Sequence, residues 1–293
     1  MRAFTLAALT IPPQALSFLI TSPQLQTPTP SFTRCDKPRH TLLHSSVSTD
    51  TPPPNNPATT TTATNNNTIV TDAKSELLSL ASSTNRGFSS KSSERKRAKE
   101  LADLLSRYNP TPEPARTYYA TTNDDEDHER PTLSGKWTLV YTDAPDITSL
   151  DGGGRPLQPS KLGRIGQECR PPYISNVIEW TRPDWTKSLV LPFAKSSSDD
   201  DDDSRVLQKV VCQASSTPEK PLAVDLTLVG LDLVGYGDDG PAGLLKTRPV
   251  ELRGVLTVPF GRFTVLYLDE EMRIIRTYQN YLAVNVRNEE DWF

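Results

Sequence analysis

The sequence predicts a mainly β protein, a closed antiparallel barrel or a sandwich, preceded by a short α-helical pair and a disordered N-terminal leader. Three observations predict it. From Thr132 onward, short runs of alternating apolar and polar residues follow one another between turn residues, as half-buried strands do. Between Asp72 and Tyr108 the apolar residues recur at helical spacing instead. Residues 1–71 are rich in Thr, Ser, Pro and Asn and too weakly hydrophobic to offset the entropy of ordering them. The 293 residues therefore divide into a leader (1–71), a helical pair with its linker (72–131) and a β domain (132–293).

The leader opens with "MRAFTLAALTIPPQALSF": a basic Arg2, an apolar run from Ala3 to Ile11, and small side chains at Ala15 and Ser17 placed for cleavage before Phe18. That run is too short to span a bilayer stably, so it reads as a signal peptide. The hydroxyl-rich stretch after it ("PATTTTATNNNT") carries almost no acid. An ordinary secretory signal with a mucin-like stalk and a plain transit peptide are the other readings. No other segment approaches a membrane span.

Charge and rare residues exclude several functions. The chain carries a formal charge of −4, and beyond residue 71 it holds 28 basic and 34 acidic side chains with no dense Lys/Arg stripe. Nucleic-acid binding, which draws its affinity from phosphate neutralisation, is excluded on that ground. Three cysteines, Cys35, Cys169 and Cys212, supply neither a disulfide framework nor a four-ligand zinc site. Cys169 and Cys212 read as small semi-buried side chains, with a redox-switched pair as the alternative. His128, in the acidic linker "NDDEDHER", is the one histidine of the body, which leaves no Ser-His-Asp triad and no histidine-ligated metal. Asp143 and Asp146 could form a carboxylate acid–base pair, but such residues also form turns. No catalytic residue, metal or cofactor is assigned.

The first helix is "DAKSELLSLASSTNRG", with Asp72 as its cap, Ala73, Leu77, Leu78 and Ala81 on one face, and Gly87 in the left-handed position after it. The second, "SSERKRAKELADLLSRYNP", has Ser93 as N-cap, a stripe of Ala98, Leu101, Leu105 and Tyr108, and Asn109 and Pro110 as the stop. Its cluster Arg95, Lys96, Arg97 and Lys99 is either a wet helix face or a contact for anionic headgroups. Strands follow at 136–141, 173–180, 187–193, 205–215, 222–233, 250–260, 262–269, 272–278 and 281–287, with no helices between them. The aspartate run 196–204 and "DGGGRP" at 151–156 read as loops, since neither has the spacing of a calcium loop or a phosphate loop.

In the first strand, Trp137, Leu139 and Tyr141 share a face, and Gly135 stands two residues before the indole. That G-x-W arrangement resembles lipocalins, in which the Trp seals the closed end of a barrel and an arginine from the last strand stacks on it. Arg276 and Arg287 are the candidates here. The wider order is more specific: "AKSELLSL…NRG", "LSGKWTLVYTDAPDI", "KLGRIGQECRPPYISNVIEW" and "GRFTVLYLDEEMRIIRTYQNYLAVNVR" resemble the plastid lipid-associated proteins, or plastid fibrillins, over residues 72–288. Lys74, Leu77, Leu78, Arg86 and Gly87 match the family's helix; Gly135–Thr142, Gly163–Asn176 and Tyr267–Arg287 match its other blocks. Thr277 stands where the family usually has Gly, and loops such as the aspartate run are lengthened.

The resemblance implies a lipocalin-like barrel that binds or organises fatty acids, carotenoids or prenylquinones at plastoglobules, thylakoids or stroma. The alternatives are an accessory protein docking onto a plastid lipid or quinone synthase, and a cofactor-free enzyme on an apolar substrate. The leader then resembles the bipartite presequence of algae whose plastids came by secondary endosymbiosis. By strand parity the cavity-lining residues are Trp137, Leu139, Tyr141, Phe263, Val265, Tyr267 and Tyr281, along with Ala283. Arg276 and Arg287 either meet a ligand carboxylate or form structural pairs, and Asn176 satisfies backbone groups at a strand entrance.

Overall fold

Alternation from Gly135 to Arg287 produces eight antiparallel strands. In a computed structural model that describes residues 60–118, 131–151, 160–182, 204–238 and 240–293, they are β1 (Gly135–Thr142), β2 (Lys161–Arg170), β3 (Tyr173–Thr181), β4 (Arg205–Ser215), β5 (Ala223–Tyr236), β6 (Val250–Leu268), β7 (Met272–Thr277) and β8 (Leu282–Arg287). Each pairs with the next, and β1 pairs with β8, so the sheet closes on itself as a barrel without a free edge. The expected strand at 187–193, the loops at 152–156 and 196–203, the leader up to residue 59, and His128 lie outside the described residues.

Helices α1 (Thr60–Ser83) and α2 (Ser92–Ser106) pack on the outside of this barrel. Ala73, Leu77 and Ala81 from α1 and Ala98, Leu101, Ala102 and Leu105 from α2 bury their stripes against Tyr141, Tyr267, Met272, Ile274, Leu282 and Val284. At about 2 kcal/mol per buried leucine, this contact rather than helix propensity holds the pair. Three sequence expectations change. Asp72 is inside α1, which starts at Thr60 within the stretch expected to be disordered, and Leu78 points out to solvent. The α2 N-cap is Lys91, whose N–H donates to the Glu94 carboxylate 2.6 Å away, a capping interaction two residues earlier than the serine reading.

The motif residues of α1 are docking residues. Lys74 forms ion pairs with Asp269 and Glu271 beside β7, and the Tyr267 hydroxyl donates to the same Asp269 at 2.6 Å. Gly87 has φ +90, and a Cβ there would sit 2.1 Å from the Thr142 carbonyl of β1. Neither the backbone angle nor the space admits another residue. Arg86 accepts the Thr142 N–H on its carbonyl at 3.0 Å and donates from Nη1 to the Gly163 carbonyl at 2.8 Å, bridging β1 and β2. The basic cluster of α2 is paired: Arg97 with Glu76, Lys99 with Asp143, Lys96 with Glu100, and Arg95 with the Ser90 hydroxyl.

Other elements lie outside the sequence reading. Strand β2 went unread because Gly163 and Gly166 dilute its alternation; Gly166 is required, since a Cβ there would meet Phe293, Trp292 and the Trp137 carbonyl. Trp292 and Phe293 cover the outer face at Val177 and Leu207. A short helix α3 (Pro114–Thr117) precedes the β domain, which itself contains helices α4 (Pro145–Thr148) after β1 and α5 (Gly240–Thr247) between β5 and β6. The two runs expected at 250–260 and 262–269 are one strand, β6.

Candidate functional site

The inward rows of the barrel carry the candidate site. Register places Trp137 opposite Gln167 of β2 and opposite Arg287 of β8. The indole is fully buried among Leu133, Ala115 and Tyr118, and donates from Nε1 to the Leu133 carbonyl at 3.0 Å. Arg287 stacks on it at 3.9 Å, with Nη1 to Ser134 O at 2.7 Å, Nη2 to Thr132 O at 3.1 Å and Nε to Glu270 O at 3.1 Å. Gly135 leaves the space for this guanidinium: a Cβ at 135 would lie 2.6 Å from Arg287 Nη1. All three of the arginine's nitrogens are thus occupied by backbone, and its part is to close the end over Trp137.

Inside, Phe263, Val265 and Ile275 pack with Cys169, Ile174, Cys212, Val224 and Leu228 around Trp137. Toward the other end Leu139 meets Leu162, Ile165 and Ile178, covered by Phe88, Ile147 and Leu150. The inward-facing Asn176, Leu231 and Ala283 are only half-buried, so water-accessible space reaches the interior.

Strict parity fails at two bulges. β1 gains a residue against β8 between Leu139 and Tyr141, and β6 gains one against β7 between Val265 and Tyr267. Each extra residue reverses the strand's facing, so Tyr141 and Tyr267, expected inside, lie on the outer face against α1 and α2. Arg276, opposite Thr264, is also outside, its Nη2 donating to Asp103 of α2 at 2.6 Å. Tyr281 is half-buried in the β7–β8 turn, its carbonyl accepting the Thr277 N–H at 2.8 Å. That turn needs no Gly at 277, because Asn280 takes the positive φ, at 67. Asp143 is occupied as well, pairing with Lys99 and accepting the Leu282 N–H at 2.6 Å.

The sequence reading missed the polar residues of the interior. Arg273, on the row facing Leu268 and Asn285, is fully buried 4.9 Å from the Trp137 ring. Its Nη1 donates to Cys169 Sγ at 3.2 Å, while Nε and Nη2 have no partner, nor does Nδ2 of the buried Asn285 opposite. Burial pushes the Arg273 guanidinium below its ordinary range, opposed by Cys169 and Tyr118. Gln167 donates to Asn176 at 2.7 Å across the β2–β3 pair, so Asn176 serves a side chain and not the strand-entrance backbone. Gln208 accepts from Trp180 Nε1 at 2.9 Å. Two-residue period put Arg273 opposite in facing to Arg276, but nothing in "MRIIRT" says which face is inside; all of Met272 to Ile275 is buried, because the helices cover the outer row.

Cys169 and Cys212 are free and face inward on either side of Ile174, with which both are in register. Two strand spacings, about 9.5 Å, exceed the reach of a disulfide. Burial raises both thiols, Cys212 to about 12. Among the described residues no group of three or more His, Cys, Asp or Glu could hold a metal ion, and no helix is long and apolar enough to cross a membrane.

The fold and site define a mainly β protein whose sheet encloses an apolar interior carrying a few polar groups. The PAP_fibrillin family model matches residues 71–198, spanning the motif part of α1, α2 and β1–β3, so over that stretch the chain is similar to the PAP/fibrillin family. No curated protein and no solved structure matches it.

Proposed function

We propose that this chain is a plastid lipid-associated protein that holds a small apolar molecule inside a lipocalin-like barrel and performs no chemistry on it. The observation that carries this reading is the interior itself: rows of Leu, Ile, Val and Phe converge on a Trp-sealed end, with a few polar side chains among them to orient a headgroup. Burying a long alkyl or prenyl chain contributes about 0.8 kcal/mol per methylene before ordering costs, which allows micromolar binding. The family supports lipid association, and fatty acids, carotenoids and prenylquinones at plastoglobules or thylakoids are the occupants and places we assign. Asp143 is tied to Lys99 and the Leu282 amide, which supports a structural part for it.

Native mass spectrometry of the gently purified protein tests this. A retained apolar molecule at one per chain is the expected result. An empty barrel with a stoichiometric protein bound would overturn it in favour of an adaptor for a plastid synthase.

A further inference from the structure

The chain shows how its own arginines take carboxylates. Arg97 grips Glu76 through Nε and Nη2 at 2.6 and 2.7 Å, and Arg164 grips Glu179 through the same two nitrogens at 2.9 and 2.8 Å. Arg262 holds Asp225 by that edge too. These two nitrogens present parallel N–H groups, the fork that fits both oxygens of a carboxylate. Arg273 carries the same edge inside the barrel, fully buried and without a hydrogen-bond partner. Its third nitrogen is held by Cys169, which fixes the fork's direction.

No carboxylate stands among the described inward-facing residues to answer this charge; Glu179, Asp225 and Asp232 lie on outward rows and are taken by Arg164, Arg262 and Arg253. Asn285, opposite Arg273 on β8, adds a third unpaired donor and Leu139 beside it begins the apolar wall. A buried cation without a counter-charge is costly, and three donors without an acceptor define what is missing: a singly charged head with two oxygens, on an apolar tail.

We infer that Arg273 and Asn285 form a headgroup subsite that selects long-chain carboxylates over neutral molecules of the same shape. This rests on the carrier reading and narrows it: the head lies on the Arg273 fork and the tail runs along Leu139, Ile165 and Ile178. Neutral carotenoids and quinones leave the fork empty and bind more weakly.

The test uses the delipidated full chain, cis-parinaric acid and its methyl ester, read by fluorescence at pH 8. The acid binds at least tenfold more tightly than the ester. In Arg273→Met that preference falls to near unity while ester affinity is unchanged, which also reports that the barrel is intact; Arg273→Lys keeps part of the preference. Equal binding of acid and ester by the unmodified protein, or an undiminished preference in Arg273→Met, overturns the subsite and leaves the carrier standing. Binding of neither probe overturns both. Dodecyl phosphate displacing the acid better than dodecanoate overturns the carboxylate assignment. Should Arg273→Met not fold, carboxyl-labelled palmitate decides on the unmodified protein. Its bound 13C resonance stays at the ionised position down to about pH 4, where a free carboxyl titrates; an ordinary titration overturns the ion pair.

Discussion

The wall made by β1, β8 and β7 has two faces built from the same strands, and their charged groups are paired to different degrees. Outside, Lys74, Asp269, Tyr267, Lys99, Asp143, Arg276 and Asp103 all take part in ion pairs or hydrogen bonds, with Arg276 Nε and the Tyr141 hydroxyl left over, and the apolar residues between them are covered by α1 and α2. Inside, Arg273 and Asn285 carry donors with no acceptor. Groups that hold a fold together are paired within it; groups kept unpaired at a cost in stability are kept for something else. The difference fits the outer face to architecture and supports the proposal that the inner one binds.

The largest effect expected on this wall is from Trp137→Ala, which empties the closed end and removes the ring under both Arg273 and Arg287. A loss of about 3–5 kcal/mol in urea unfolding is expected. Gly87→Ala comes next: with φ +90 and the Thr142 carbonyl in the way, it should cost at least about 2 kcal/mol and loosen the helices, read as hydrogen exchange in α1. Lys74→Met should cost about 1–2 kcal/mol by leaving Asp269 without its cation, with apolar-probe binding unchanged.

Acid should act on the same outer contact. Burial raises the Asp269 carboxyl, but the hydrogen bonds from Lys74 and Tyr267 outweigh it and hold the group below its usual range. Its contribution is therefore present above the unfolded value, about 3.9, and lost as pH falls through the lower folded value. In Lys74→Met that loss should begin at higher pH, seen in an acid titration of near-UV circular dichroism. The smallest effect is the one that separates the faces: Asn285→Leu removes an unsatisfied buried amide and should leave the empty protein unchanged or up to about 1 kcal/mol more stable, whereas outer-face substitutions destabilise.

What was legible in the sequence follows the same division. The stripes of α1 and α2, the alternation around Trp137, and an arginine of the last strand stacking on that indole are readable because periodicity and residue type determine them. Arg273 was not, because both faces of β7 are buried and the pattern of "MRII" is apolar on either side of it. Tyr141 and Tyr267 were placed wrongly because a bulge depends on pairing between distant strands. Neither Val140 nor Leu266 bears a local mark of it.

Those two bulges let a single strand serve two masters along its length. In β1 the first half addresses the lumen and the remainder addresses the helices, and the changeover costs one residue. In homologues lacking the extra residue at Val140 or Leu266, the aromatic that follows would keep its outward facing but stand at the opposite sequence parity. A β1 that kept Val140 but paired with β8 without the bulge would instead turn Tyr141 into the lumen, narrowing it and stripping the helices of an anchor at once.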